Sequence, residues 1–341
     1  MSEKKSIGIK NIGLYIPEGL HTSKHIARES GIPEEVIIEK FAINQKHKAD
    51  PDEHPSEMAL KASRQALENF SPRKLDLVLF HGSEYKDYYL YNQAAKLQHE
   101  LGAKNAYAFE LHSLCSSGVL ALKTARDMMQ NDPDLDNVLL ATSSKEADLL
   151  DYSNEDSRFM FNFGDAAAAV LLEKGLKKNT ILRNHTITDG SFADDVAVYE
   201  IGSRYFNEPG QEKLELADCN LDVADIDSMR ERLNAVTEDN FRAVIEKSLQ
   251  KSGYSTSDID FIALIHMKKS FLDSLLSTYD LGEEDSFKLN DYGHCQSADA
   301  FIATKKGVEQ GKIEEGDLIV MVGAGTGYTW SATCVRWGSP R

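Results

Sequence analysis

CSSGVLALKTARDMM (115–129) and CQSADAFIATKKGVE (295–309) lie over one another, Cys on Cys, with apolar residues at matching places, and this pairing decides the fold. The offset is 295 − 115 = 180, and DNVLLAT (136–142) then meets GDLIVMV (316–322) at the same offset without a gap. Upstream, LENFSPRKLDLVLF (67–80) resembles LQKSGYSTSDIDFIAL (249–264): a helix end, a short polar turn, an Asp, then an apolar strand. Its aspartates, Asp76 and Asp260, are 260 − 76 = 184 apart, four residues from the downstream register. Two matches in the same order point to an internal duplication too long for a solenoid repeat. Two related α/β halves, placed face to face, are expected.

Around these segments, short apolar runs alternate with helical patterns. Ile7–Ile16 predicts a strand, and Pro55–Phe70 an amphipathic helix with Ala59, Ala62, Ala66 and Leu67 inward. Asp76–His81 and Asn137–Thr142 read as buried strands. Ser116–Gln130 reads as a helix with little polar surface, stopped by Asn131-Asp132-Pro133. Such alternation predicts a largely parallel sheet covered on both faces. Between the halves, residues 189–234 are acidic, hold Pro209-Gly210 and keep no period. They read either as a surface excursion or as a segment covering substrate.

The balance of the chain narrows the function. Its 341 residues carry 38 Lys+Arg against 55 Asp+Glu, a formal net charge of −17, which argues against nucleic-acid or anionic-membrane binding. Four cysteines do not make a secreted disulfide scaffold, and a chain of this length can build its own core. No apolar run approaches the ~18 residues of a membrane span, and MSEKKSIGIKN (1–11) has charges without an apolar core after them. A globular protein of the cytoplasm, without a membrane partner, is expected.

Cys115 follows the strand-like AYAFELH and opens a helix, where the dipole and free N–H groups stabilise a thiolate. An inert buried cysteine is the competing reading. His266 ends the apolar run DFIALIH, and His294 stands in Tyr292-Gly293-His294-Cys295 ahead of the second-half helix. By the 180-residue offset His294 answers to Leu114, and Cys295 to Cys115. A thiol with two imidazoles suits acyl transfer: the thiolate takes the acyl group while the imidazoles move protons or bind an enolate oxygen. His112, Cys115, His294 and Cys295 could also be zinc ligands, but no paired C-x-x-C supports this, and no metal or cofactor is expected. Gly323-Ala324-Gly325-Thr326-Gly327 follows the last apolar strand; with no helix and no Lys after it, it is not a nucleotide fingerprint. It reads as an open turn whose N–H groups reach a ligand oxygen, or as a tight strand-to-strand turn.

Taken together, AFELHSLCSSG (108–118), FNFGDAAAAVLLE (161–173), IALIH (262–266), YGHCQSADA (292–300) and GAGTGYTWSATCVRW (323–337) resemble the thiolase superfamily, specifically ketoacyl synthase III. The resemblance spans nearly the whole chain. It implies a five-layered αβαβα sandwich from two duplicated halves, 1–174 with the nucleophile and 175–341 with the histidines and glycine loop, usually a homodimer. It implies Cys115 as nucleophile, His266 as a catalytic base or donor, and an oxyanion hole from the N–H groups of Cys115 and Thr326. Substrate contacts are implied at Tyr85, Leu90, Gly325 and Phe271. Acyl-CoA or acyl-carrier-protein thioesters are the implied substrates.

The sequence departs from that pattern at named places. The family's catalytic Asn is His294 here, giving a Cys-His-His set similar to the elongating ketoacyl synthases. The family's His-Gln-Ala-Asn run reads His266-Met267-Lys268-Lys269, and its following Arg position falls at Phe271. The Trp and Arg that grip coenzyme A fall near Val36 and Lys40. Glu84 falls where hydroxymethylglutaryl-CoA synthases carry a general base; a solvated Glu is the alternative. Tyr85, Tyr88, Tyr89 and Tyr91 crowd the segment that lines the family's acyl channel, which favours a short or polar-aromatic acyl group, unless they only pack an interface. The leading expectation is acyl transfer to Cys115 followed by decarboxylative condensation with a malonyl thioester. Two others are transfer to an alcohol, amine or other carbon nucleophile with Glu84 or His294 as base, and a non-catalytic partner subunit. An acidic carrier protein would need a local basic patch, for which Lys268-Lys269 beside His266, with Lys40, are the candidates.

Overall fold

The computed structural model describes residues 5–204 and 219–339. The first half runs β1 (Ile7–Tyr15), β2 (Gly19–Thr22), α1 (Ser23–Ser30), α2 (Glu34–Lys40), β3 (Gln45–Lys48), α3 (Pro55–Ala66), β4 (Leu77–Gly82), α4 (Gln93–Glu100), β5 (Tyr107–His112), α5 (Ser117–Asn131), β6 (Asn137–Ser144) and β7 (Ala166–Lys174). The second runs β8 (Thr180–Thr188), β9 (Val196–Ala197), β10 (Asp222–Val223), α6 (Ile226–Ser252), β11 (Phe261–Leu264), α7 (Lys269–Thr278), α8 (Asp299–Glu309), β12 (Leu318–Gly325) and β13 (Thr329–Arg336). Of the unpatterned stretch 189–234, residues 205–218, with Pro209-Gly210, lie outside the described residues. Its last part is the first turns of α6, capped by the Asp225 side chain on Ser228 N–H.

Nine strands run in the order β11-β12-β13-β8-β1-β7-β6-β4-β5. The order is nearly palindromic: β8, β13, β12 and β11 leave the centre as β1, β7, β6 and β4 do on the other side. Only β4/β5, β4/β6 and β11/β12 pair parallel. The sheet is therefore mixed rather than largely parallel, because each half sets two antiparallel strands beside its parallel ones. The halves join at one pair, Gly8↔Thr180, with Ile9 N–H on Asn179 O at 3.0 Å. Gly8 has to be glycine there, since a Cβ would stand 2.3 Å from Lys178 O.

Five layers follow. α3 and α4 cover one outer face, α6 and α7 the other, and α5 with α8 fill the middle, touching strands of both halves. The middle layer is the largest core, with Val119, Leu122, Met129, Phe301 and Ile302 against Leu77, Leu140, Val170, Ile319 and Met321. Each such side chain contributes roughly 1.5–3 kcal/mol by leaving water, so the site at the head of α5 rests on a rigid base.

The duplication is in the structure, in a different register from the gapless alignment. Leu77 pairs with Val138 and Phe261 with Ile319, which makes the strand offset 319 − 138 = 181. Ahead of the middle helices, Leu114 (φ 49°) and Gln296 (φ 54°) are both left-handed, and each starts one helical turn before its helix. That offset is 296 − 114 = 182, so Cys115 answers to Ser297 and not to Cys295. From the paired strand residues the run to Gln296 is shorter (296 − 261 = 35) than the run to Leu114 (114 − 77 = 37), and an alignment without gaps hides this.

Candidate active site

A left-handed Leu114 turns the chain sharply from β5 into α5 and puts Cys115 at the bend, buried, above the head of the helix. Glycines make room for it. A Cβ on Gly325 would come within 2.8 Å of Ser113 O and 3.0 Å of the Cys115 and Ser116 nitrogens, so the end of β12 lies directly against the nucleophile's backbone. On Gly118, a Cβ would meet Ser297 O at 2.3 Å, which brings the two helical turns together. The Cys115 thiol donates to Oε1 of Gln296, the left-handed residue of the other turn, while Gln296 Nε2 is buried without a partner among the described residues. Tyr328 faces Cys115 as well; burial, then that neighbour, pushes its phenol up.

His294 is set by its backbone. Its N–H donates to Asn162 O at 2.7 Å, its carbonyl accepts from Gly164 N–H at 3.0 Å, and Phe163 stands edge-on to the ring at 5.3 Å. Gly164 and Gly293 allow that close run, for a Cβ on Gly164 would lie 2.3 Å from Tyr292 O. The ring hydrogen-bonds Cys115 and, through Nδ1, Asp299 Oδ2 at 2.6 Å. Burial alone would lower His294; the Asp299 carboxylate, with Cys115, reverses this and raises it well above the usual range. His266 differs. Burial holds it down to about 4, and its Nε2 lies 2.9 Å from Phe41 O, while its backbone N–H donates to Asp299 Oδ2 at 2.8 Å. The two histidines thus share one carboxylate, His294 through its ring and His266 through its backbone N–H, with their ring pKa values moved in opposite directions. Among the described residues no group of three or more His, Cys, Asp or Glu is arranged to hold a metal ion.

Family models for 3-oxoacyl-[acyl-carrier-protein] synthase III match residues 109–190, and for its C-terminal part residues 249–337. These two stretches contain Cys115, His266, His294 and Gly325. The chain belongs to the ketoacyl synthase III family. It is 28% identical over 98% of its length to the β-ketoacyl-[acyl-carrier-protein] synthase III of Microcystis aeruginosa, covering 98% of that protein. In structure it is similar to the priming β-ketosynthase of a polyketide biosynthetic pathway (TM-score 0.85, 22% identity, covering 100% of this chain and 99% of that one). It is similar also to the 3-oxoacyl-[acyl-carrier-protein] synthase III of Aquifex aeolicus (TM-score 0.82, 22% identity, 98% and 100%).

Against other ketoacyl synthase III positions the structure sorts the expected residues. Cys115, His294 and Gly325 come together, with His266 beside them on Asp299. Glu84 does not join them: its side chain is 69% exposed and pairs with Lys86 (3.5 Å) and His112 (3.3 Å). The buried end of that cluster is Glu110, which burial would raise but which His112 and Lys86 hold down to about 2. Phe271 faces the core under α6, its ring 5.0 Å from Phe241, because α7 turns its apolar side there. Tyr85 is half-buried and donates to Asp148 at 3.2 Å. Tyr88, Tyr89 and the left-handed Leu90 (91% exposed) are at the surface. Thr326 opens the turn between β12 and β13, a tight hairpin turn that also borders the nucleophile. α2 and α7 pack together, so Lys40 and Lys268-Lys269 flank the contact between Phe41 and His266 at the surface. Asp299, Gln296 and Tyr328 were not singled out from the sequence. An Asp opening a helix is ordinary, and Gln and Tyr carry no spacing signal.

Proposed function

We propose that this chain is an acyltransferase of the ketoacyl synthase III type. It accepts an acyl group from a thioester on Cys115 and condenses it with a malonyl thioester as CO₂ leaves, in fatty-acid or polyketide synthesis. The observation that carries this reading is the Cys115 thiol at a left-handed bend before α5, bonded to His294 and bordered by Gly325. The N–H groups of Cys115 and Thr326 bind the oxyanion, and His294 serves the thiol. His266, its Nε2 turned to Phe41, supports the pocket and reaches the extender's oxygen only if that contact opens. Lys40, Lys268 and Lys269 receive the phosphates of coenzyme A or an acidic carrier protein, at the mouth over His266. The division into halves falls between β7 and β8, at 174/175. Among the described residues no helix is long and apolar enough to cross a membrane, in keeping with work in the cytoplasm.

The test is direct. Incubation with a panel of acyl-CoAs should give a single acyl adduct by intact mass, lost in Cys115→Ala, and labelled malonyl thioesters should then release CO₂. Reversing Lys268 and Lys269 to Glu should weaken use of carrier-borne malonyl more than of small thioesters. Absence of any adduct across the panel would overturn the reading.

A further inference from the structure

Asp299 is the most heavily engaged buried carboxylate near the nucleophile, and nothing in the family resemblance gives it a role. It is fully buried at the first position of α8. Oδ1 accepts from Cys295 N–H at 2.7 Å; Oδ2 accepts from His266 N–H at 2.8 Å and from His294 Nδ1 at 2.6 Å. Both oxygens take backbone N–H groups, which only donate, and this pattern of donors assigns the hydrogen between Asp299 and His294 to Nδ1. That fixes the ring: Nδ1–H points at Asp299, and Nε2 is left for Cys115.

We propose that Asp299 is the positioning residue of a Cys115–His294–Asp299 triad, holding His294 as an imidazolium whose Nε2–H serves the sulfur of Cys115. The inference rests on the acyltransferase reading and adds how the proton moves. The Nε2 proton of that imidazolium is the one Cys115 has given up, and the freed sulfur forms the bond to the thioester carbonyl carbon. The donor's carbon–sulfur bond breaks, and the departing thiolate takes that proton from Nε2. One thiol and one thioester are exchanged, with no net proton. Among the described residues the His266 ring has no carboxylate partner: it offers Asp299 its backbone N–H and turns Nε2 to Phe41 O.

The other titratable groups facing His294 are Cys115 from the turn before α5, Cys295 on its own loop and His266 from the end of β11. Beyond Cys295 lie Lys46, Asp165 and Glu146. Among the described residues, only Asp299 gives His294 a carboxylate. A buried imidazolium next to a buried carboxylate is favoured by their mutual attraction, and loss of one partner would leave the other disfavoured.

The experiment has two independent arms. In histidine-selective ¹⁵N NMR of the wild-type protein, with His294→Gln as the assignment control, both ring nitrogens of His294 should be protonated at neutral pH. In Asp299→Asn one should lose its proton; Asp299→Glu should keep the charge. In single-turnover acylation, Asp299→Asn should slow adduct formation by ~10²–10⁴-fold, with the half-saturating donor concentration changed less than about threefold. Asp299→Glu should recover part of that loss. A neutral His294 in the folded wild type overturns the proposal even if Asp299→Asn fails to fold. So does wild-type acylation in a folded Asp299→Asn. If the wild type accepts no acyl group, the acyltransferase reading falls, and the NMR arm still judges the triad.

Discussion

At the level of single residues, the most exacting position beside the nucleophile is Gln296. Its Oε1 is taken by the Cys115 thiol, and its buried Nε2 has no protein acceptor among the described residues. An unpaired buried donor costs about 1–3 kcal/mol, which natural sites tolerate where a substrate supplies the acceptor. We expect the carbonyl oxygen of a thioester seated on Cys115 to be that acceptor, with Gln296 as a further oxyanion donor. Gln296→Ala should therefore slow acylation by ~10²-fold in single-turnover measurements while leaving the melting temperature unchanged or higher. An equal rate would remove Gln296 from the chemistry. Legibility was uneven at this scale. Cys115 and His294 could be found because their types and neighbouring helix starts are unusual. Asp299 and Gln296 could not, because their roles come from a left-handed bend and from partners on other elements.

Among elements, the bend before α5 depends on glycine more than on any polar contact. Gly325→Ala would press a methyl group on the Ser113 carbonyl and the Cys115 amide, and backbone cannot yield as a side-chain tip does. We expect a loss of ~1–3 kcal/mol in urea unfolding and a greater loss of acylation, since the shift falls on the nucleophile itself. Strands and helices were largely readable: Ile7–Ile16, Asp76–His81 and Asn137–Thr142 became β1, β4 and β6 within a residue or two. The mixed pairing was not readable, because antiparallel β7 and β13 are almost as fully buried as the parallel strands. β5 ends the sheet with Tyr107 48% exposed, and the exposed Tyr88, Tyr89 and Leu90 precede it in sequence. We propose that two copies meet through this terminal strand and these exposed side chains. Light scattering should give twice the chain mass, falling to one chain when Tyr107 and Leu90 are both changed to Glu. A wild-type monomer would refute it.

For the molecule as a whole, burial of histidines sets an acid limit. His81 is held down to about 3 and His266 to about 4, both by burial, against an ordinary 6.5. Their folded values lie below the unfolded one, so their contribution is complete above pH 6.5 and drains away as pH falls toward 4. The two together should withdraw on the order of 5 kcal/mol by pH 4. Urea midpoints at pH 7, 5.5 and 4 should fall in that order, and His81→Phe should flatten the decline. A midpoint independent of pH would contradict the burial argument.

The paired left-handed residues, Leu114 and Gln296, carry an historical consequence. Both copies of the ancestral unit kept the same seat at the head of the middle helix. In one the occupant is Cys115; in the other it is Ser297, whose hydroxyl is spent at 2.6 Å on Thr142. The second seat is scaffolding, and the residue on its hinge, Gln296, leans across to the first. One gene, doubled, has specialised its twins: one does the chemistry and the other holds the tools.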